Sequence, residues 1–208
     1  MSDPRSGPAY VFGYASLVGM REAFAVGGVE HQPVAGRLRG FRRNWGAAMD
    51  NWDAANDHKY FVEPGTGERP HLRVAYLDVE PSEGSAVNGL AIPVDAARLA
   101  VLDAREVNYS RIDVASAFEP VNTQDLHTEP GADAPPCVFT YVGTDAARER
   151  CRRGAIDGNL FVSRDYAAAV RRAFELLGPG ALAEFDRTTE PLPFLERNLK
   201  LIWPSEGA

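Results

Sequence analysis

The sequence predicts an α+β fold in which a curled or barrel-like sheet is flanked by helices, and three features of its 208 residues lead there. Strand-like runs dominate residues 10–142, helical periodicity dominates the last third, and strand and helix do not alternate. No G-x-G-x-x-G follows the first strand, which argues against a doubly wound dinucleotide-binding sheet. Two central runs, residues 72–79 and 86–94, are apolar on alternating faces in a way that suits a sheet covered on both sides or closed on itself.

The chain reads as one domain, 1–208, and with 45% hydrophobic and 25% charged residues it can bury a substantial core. Residues 1–8 are polar, contain Gly and Pro and lack the apolar stretch of a signal peptide; they read as a disordered tail. No later run is long enough to span a membrane. The net charge of −7 argues against general affinity for nucleic acid or for anionic membranes, since both require a basic surface. Two cysteines, Cys137 and Cys151, are too few for a disulfide scaffold and lack the spacing of a zinc site, which suits the reducing cytoplasm. The four histidines are scattered outside any metal-binding pattern, so no metal is expected.

The first strand is the apolar run Tyr10, Val11 and Phe12, which breaks into Gly13, Tyr14, Ala15 and Ser16 before Leu17. Residues 19–26 read as a short helix stopped by Gly27 and Gly28. A strand meeting a helix start leaves unpaired backbone N–H groups at the junction, suited to an anion or a developing oxyanion. Residues 33–49 are extended and interleaved with Arg37, Arg39, Arg42 and Arg43. Two readings stand: a strand whose outer face is solvated by arginine, or one in which Arg43, Asn44 or Trp45 reaches a substrate carboxylate. Residues 50–67, rich in Asn, Asp, Gly and Pro, form a loop holding a small strand at 59–62. The runs 72–79 and 86–94 read as two strands joined by a turn at 81–84.

Asp95 is an N-cap for a helix over 96–105. At ~100° per residue, Leu99, Leu102 and Glu106 lie within roughly 60° of one another, so a helix lasting that far turns Glu106 toward its apolar side. A glutamate there has to be neutralised, partnered or used, and its pKa is expected to rise. The alternatives are a helix that stops earlier, leaving Glu106 in solvent, and Asp103 as the competing carboxylate. Residues 110–118 alternate as a half-buried strand, 121–136 form a loop, and 137–142 form another strand. Ser163 caps a helix carrying Tyr166, Val170, Ala173, Phe174 and Leu177 until Gly178-Pro179-Gly180 ends it; 181–187 add a turn or two. The tail 191–202 is apolar and proline-broken and is expected to pack across the domain, anchored by Trp203.

Phe12-Gly13-Tyr14-Ala15-Ser16-Leu17 resembles the F-G-Y-G-S-L signature of the γ-glutamylcyclotransferase superfamily, and Arg105-Glu106 followed by Tyr109 resembles the element carrying that family's catalytic glutamate. The strand end Tyr141-Val142-Gly143-Thr144 and the helix begun by Ser163 extend the similarity. The resemblance implies a small mixed β-barrel or curled sheet with flanking helices, acting on a small-molecule γ-glutamyl substrate without cofactor or metal. In the family reaction the free α-amine attacks its own γ-carbonyl, closes 5-oxoproline and releases the amine partner; glutathione is the substrate of one bacterial branch. By resemblance Glu106 is the general acid/base, Gly13, Tyr14, Ala15, Ser16 and Leu17 cradle the glutamyl group, and Tyr109 walls the pocket with Tyr14. Ala15 stands where the signature has glycine, a substitution that would be strained if the position required φ > 0. Acyl transfer or deprotection at the same site, and a non-catalytic homologue that binds the γ-glutamyl group, are the competing readings.

Overall fold

The computed structural model describes residues 9–20, 32–52, 59–122, 136–193 and 195–203. The proposed tail 1–8 and nearly all of the helix expected over 19–26 lie outside the described residues. Strand β1 (Ala9–Gly13) is followed by a 3-10 turn, Ser16–Met20. Then come β2 (Val34–Asp50), β3 (Tyr60–Val62), β4 (Arg73–Val94), helix α1 (Ala96–Arg105), β5 (Tyr109–Asp113), β6 (Phe118–Pro120) and β7 (Cys137–Gly143). The chain closes with α2 (Asp145–Asp157), β8 (Leu160–Ser163), α3 (Arg164–Leu176), α4 (Pro179–Thr188), β9 (Leu195–Arg197) and β10 (Lys200–Ile202).

The sheet runs β5-β7-β1-β4-β2-β6, with β8 and β9 joined through β4, while β10 and β3 form a separate ribbon. It is mixed: β1 pairs antiparallel with β4 and parallel with β7. The two ends of the strand order, β5 and β6, are consecutive in the chain. The link between them bonds both flanks, Val114 N donating to Val138 O (2.7 Å) and Arg39 N to Ala117 O (2.9 Å). That stitching curls the sheet into a half-barrel. Residues 110–118 therefore do not form one strand; they break at 114–117 so that β5 pairs with β7 and β6 with β2.

The turn expected at 81–84 is also corrected. Both halves of β4 pair antiparallel with the one long strand β2, from Val34 opposite Ala91 to Asp50 opposite Arg73. Pro81 still pairs with Phe41, and Ser82 to Ser85 bulge out of the ladder opposite Gly40, with Gly84 at φ 73° and Gly40 at φ 74°. A bulge shifts the side-chain parity of its strand. Arg37, Arg39 and Arg42 face solvent, whereas Arg43 is fully buried.

One buried face of the sheet carries Tyr10, Phe12 and Leu38 and the other carries Val11, Leu90 and Ile92, and Phe174 and Phe185 from α3 and α4 join the same apolar core. Each such side chain contributes ~1.5–3 kcal/mol on burial. Asp95 caps α1 as read, accepting from Arg98 N at 2.7 Å, and Ser163 caps α3. Helix α2 and strand β8 are absent from the sequence reading. Thr144 is the N-cap of α2, accepting from Ala147 N, and Gly158 ends it in the left-handed region. The tail does pack across the fold: β9 pairs with β8 and β10 with β3. No described helix is long and apolar enough to cross a membrane.

Candidate active site

β1 delivers Phe12 and Gly13 into a tight reversal. A Cβ on Gly13 would stand 2.9 Å from the Leu17 Cβ, so the missing side chain lets the 3-10 turn fold back on the strand. The turn's first hydrogen bond runs from Val18 N to Ala15 O (3.1 Å), which leaves the N–H groups of Ser16 and Leu17 ahead of it outside the helical ladder. No described non-glycine residue takes a positive φ, so Ala15 occupies its place without backbone strain.

Beside this turn lies a cavity of about 310 Å³. Tyr14, Ala15, Ser16 and Leu17 line it, as do Glu106 and Tyr109, which means that every sequence-predicted site residue except Gly13 meets there. Gly13 shapes the turn from behind. Glu106 is the C-cap of α1, its N–H donating to Leu102 O at 2.9 Å. The helix thus lasts just long enough to bring the carboxylate round to its buried side, where 16% of the side chain stays exposed. Arg105 Nε stands 3.6 Å from Glu106 Oε1. Asp103, the competing carboxylate, is exposed, does not line the cavity, and accepts from Tyr141 OH at 2.8 Å with Arg111 at 3.3 Å.

Five tyrosines contribute to the wall: Tyr14, Tyr76, Tyr109, Tyr141 and Tyr166. All five hydroxyls have partners within the protein. Tyr14 donates to Tyr141 O (2.8 Å), Tyr109 to Leu77 O (2.9 Å), and Tyr166 accepts from Leu77 N (3.3 Å). Tyr76 and Tyr166 pack edge to face at 4.9 Å. Burial raises the pKa of all five, so the phenols stay neutral and serve as rigid, largely apolar walls. The charges on the lumen are Glu106, Arg105, Lys59 and Asp165. Lys59 Nζ lies 4.7 Å from the centre of the Tyr76 ring. Desolvation lowers its pKa, against the opposing pull of Glu106.

Sequence reasoning placed Lys59 in a small strand and Tyr166 on a helical stripe, without a role for either at the site. Tyr76 and Asp165 were likewise given none. Lys59 arrives through the loop before β3, and only the β3–β10 pairing shows which way that segment faces. Arg43, Asn44 and Trp45 are outside the cavity. Arg43 meets neither of its two readings, because it is sealed under α4. Its guanidinium donates to Thr189 Oγ1 (3.0 Å) and the Asn88 carbonyl, and it lies 4.5 Å from the Phe185 ring centre. Desolvation lowers its pKa. The described residues hold no cluster of His, Cys, Asp and Glu able to bind a metal. Cys137 and Cys151 are unpaired, and burial raises the Cys151 thiol to about 11.

No protein-family model and no curated protein matches the sequence. Solved structures do match by shape. YkqA from Bacillus subtilis is 16% identical with a TM-score of 0.50 over 90% of this chain; the match spans 56% of YkqA's own length. The human protein loc79017 is 13% identical with a TM-score of 0.51, covering 90% of each chain. A yeast γ-glutamyl cyclotransferase specific to glutathione is 12% identical with a TM-score of 0.50, covering 89% of this chain and 98% of the yeast one. At such identities the likeness is one of architecture, a mixed sheet curled into a half-barrel with four α-helices among the described residues. The chain has the γ-glutamylcyclotransferase-like fold.

Proposed function

We propose that this protein is a γ-glutamylcyclotransferase-type enzyme that converts a γ-glutamyl amide to 5-oxoproline and a free amine. The observation that supports it best is that Glu106 and the Tyr14–Leu17 turn, 89 residues apart at their nearest, line one cavity walled in part by tyrosine rings. The reaction needs no enzyme nucleophile. It needs the glutamyl arm bent so that its α-nitrogen approaches its own γ-carbonyl, a positioning task for rigid walls. It also needs one group that takes a proton from the α-ammonium and hands one to the leaving nitrogen. Glu106 fits that role, since it faces the lumen with acceptor capacity left beside Arg105. The turn backbone at Ser16 and Leu17 is placed to hold the glutamyl carboxylate or the developing oxyanion. The two free cysteines fit work in the reducing cytoplasm.

The test is to incubate the protein with a panel of γ-glutamyl amides and follow 5-oxoproline, with Glu106→Gln as control. Turnover by the wild type and its loss in the variant is the expected result. Equal inertness of both, with a γ-glutamyl compound still bound, would identify a non-catalytic homologue instead.

A further inference from the structure

A second wall of the cavity is the ribbon made by β3 and β10. Phe61 pairs with Leu201 and Tyr60 with Ile202. Strand alternation therefore puts Lys59, Phe61, Leu201 and Trp203 on one face, and all four line the cavity. Leu201 and Trp203 keep 37% and 36% of their surface exposed, a cost for large apolar side chains that a bound apolar group would relieve.

The charges divide in the complementary way. A γ-glutamyl arm brings one ammonium and one carboxylate. Glu106 answers the ammonium, and the cations Lys59 and Arg105, both on the lumen and both in electrostatic reach of Glu106, answer the carboxylate. What is left for the amine half is the apolar face of Phe61, Leu201 and Trp203, together with Asp165 in the first turn of α3. A further carboxylate on the amine would meet Asp165 as a like charge.

Resting on the cyclotransferase reading, we propose that the cavity takes γ-glutamyl amides whose amine part is apolar, aryl or alkyl, and carries no carboxylate, its body lying on the Phe61, Leu201 and Trp203 face. The α-nitrogen forms a bond to the γ-carbonyl carbon and the amide C–N bond breaks. Of the two protons lost by the α-ammonium, one passes through Glu106 to the leaving nitrogen and the other goes to solvent or to the released amine. No co-reactant is consumed.

The experiment gives the protein γ-glutamyl anilide, γ-glutamyl butylamide and γ-glutamylglycine and follows 5-oxoproline. The two apolar amides are expected to exceed γ-glutamylglycine in kcat/KM by about tenfold or more. The double variant Leu201→Ser, Trp203→Ala loses that preference, and Trp203→Phe alone keeps most of it. Equal or better use of γ-glutamylglycine overturns the proposal while leaving the cyclotransferase reading standing. If none of the three yields 5-oxoproline, that reading falls for these compounds, and calorimetric titration with the same three decides the subsite. Binding of the anilide about tenfold tighter than γ-glutamylglycine upholds it, and equal or absent binding overturns it.

Discussion

Asp78 and Glu106 are both carboxylates in the same half of the molecule, and they are held in opposite ways. Asp78 sits mid-strand on β4 at 1% exposure and is held by three donors: it accepts from Val79 N (2.8 Å), Gly143 N (2.7 Å) and Arg148 Nε (2.8 Å). Glu106 stands at a helix end on a cavity, with one guanidinium at 3.6 Å. A buried carboxylate held by donors from several elements ties those elements together, here β4, β7 and α2. One that keeps acceptor capacity toward a lumen can exchange a proton with a ligand. The two substitutions should therefore fail in different assays.

The largest effect is expected at Glu106. Glu106→Gln preserves size and removes the proton acceptor, so 5-oxoproline formation should fall by ~10²–10⁴-fold. Its urea midpoint should stay near that of the wild type, because the side chain anchors little. A large loss of stability instead would make Glu106 another structural carboxylate and dissolve the contrast.

Asp78→Ala should do the reverse. It leaves Arg148, about one-third exposed, without its carboxylate partner and removes the acceptor of two backbone N–H groups, a loss of ~3 kcal/mol read as a lowered urea midpoint. Solvent reaches Arg148 enough to keep the cost toward the low end of the range for broken buried pairs. Binding of a γ-glutamyl ligand, measured well below the melting temperature, should persist.

The tyrosine wall supplies a pH test. Burial raises the folded-state pKa of Tyr14, Tyr76, Tyr109, Tyr141 and Tyr166 above the unfolded value near 10. Below about pH 10 both states are protonated and the stability is fully present. Above it the unfolded chain ionises first, so stability falls as pH climbs, by up to ~1.4 kcal/mol per pH unit for each tyrosine still protonated in the fold. Urea midpoints measured between pH 9 and 11, alongside phenolate absorbance, should show this decline (window from ~10 upward). Phenols that titrate normally in the folded protein would mean the wall is open to water.

What the sequence revealed, and what it hid, follows from how far apart the deciding contacts lie. The cap at Asp95, the helix over 96–105 and the stop at Gly178 are local chemistry and were legible, whereas the periodicity left the inward phase of Glu106 as one of two readings. The segment 81–84, most of it in the bulge, has the composition of a hairpin turn; only the pairing of both halves of β4 with one strand distinguishes the two. Arg43 was hidden by that same irregularity, which reverses the parity of β2 after Arg39. Helix α2 escaped because its buried face is Ala147, Cys151 and Gly154, too small to register as an apolar stripe among its charged residues. Lys59 and Trp203 reach one wall through a pairing that spans about 140 positions, beyond any periodicity.

The smallest effect concerns Ala15, the one departure from the glycine-bearing signature. Were glycine needed there for a left-handed backbone, restoring it would relieve strain and stabilise the protein. Ala15 has no positive φ, so Ala15→Gly gains nothing in the folded state and gives the unfolded chain more freedom. The variant should be less stable by ~0.4–1 kcal/mol, with 5-oxoproline formation no faster than in the wild type. A variant that is more stable and faster would show that the turn is strained, and that it is Ala15, rather than the charge balance around Glu106, that limits the site.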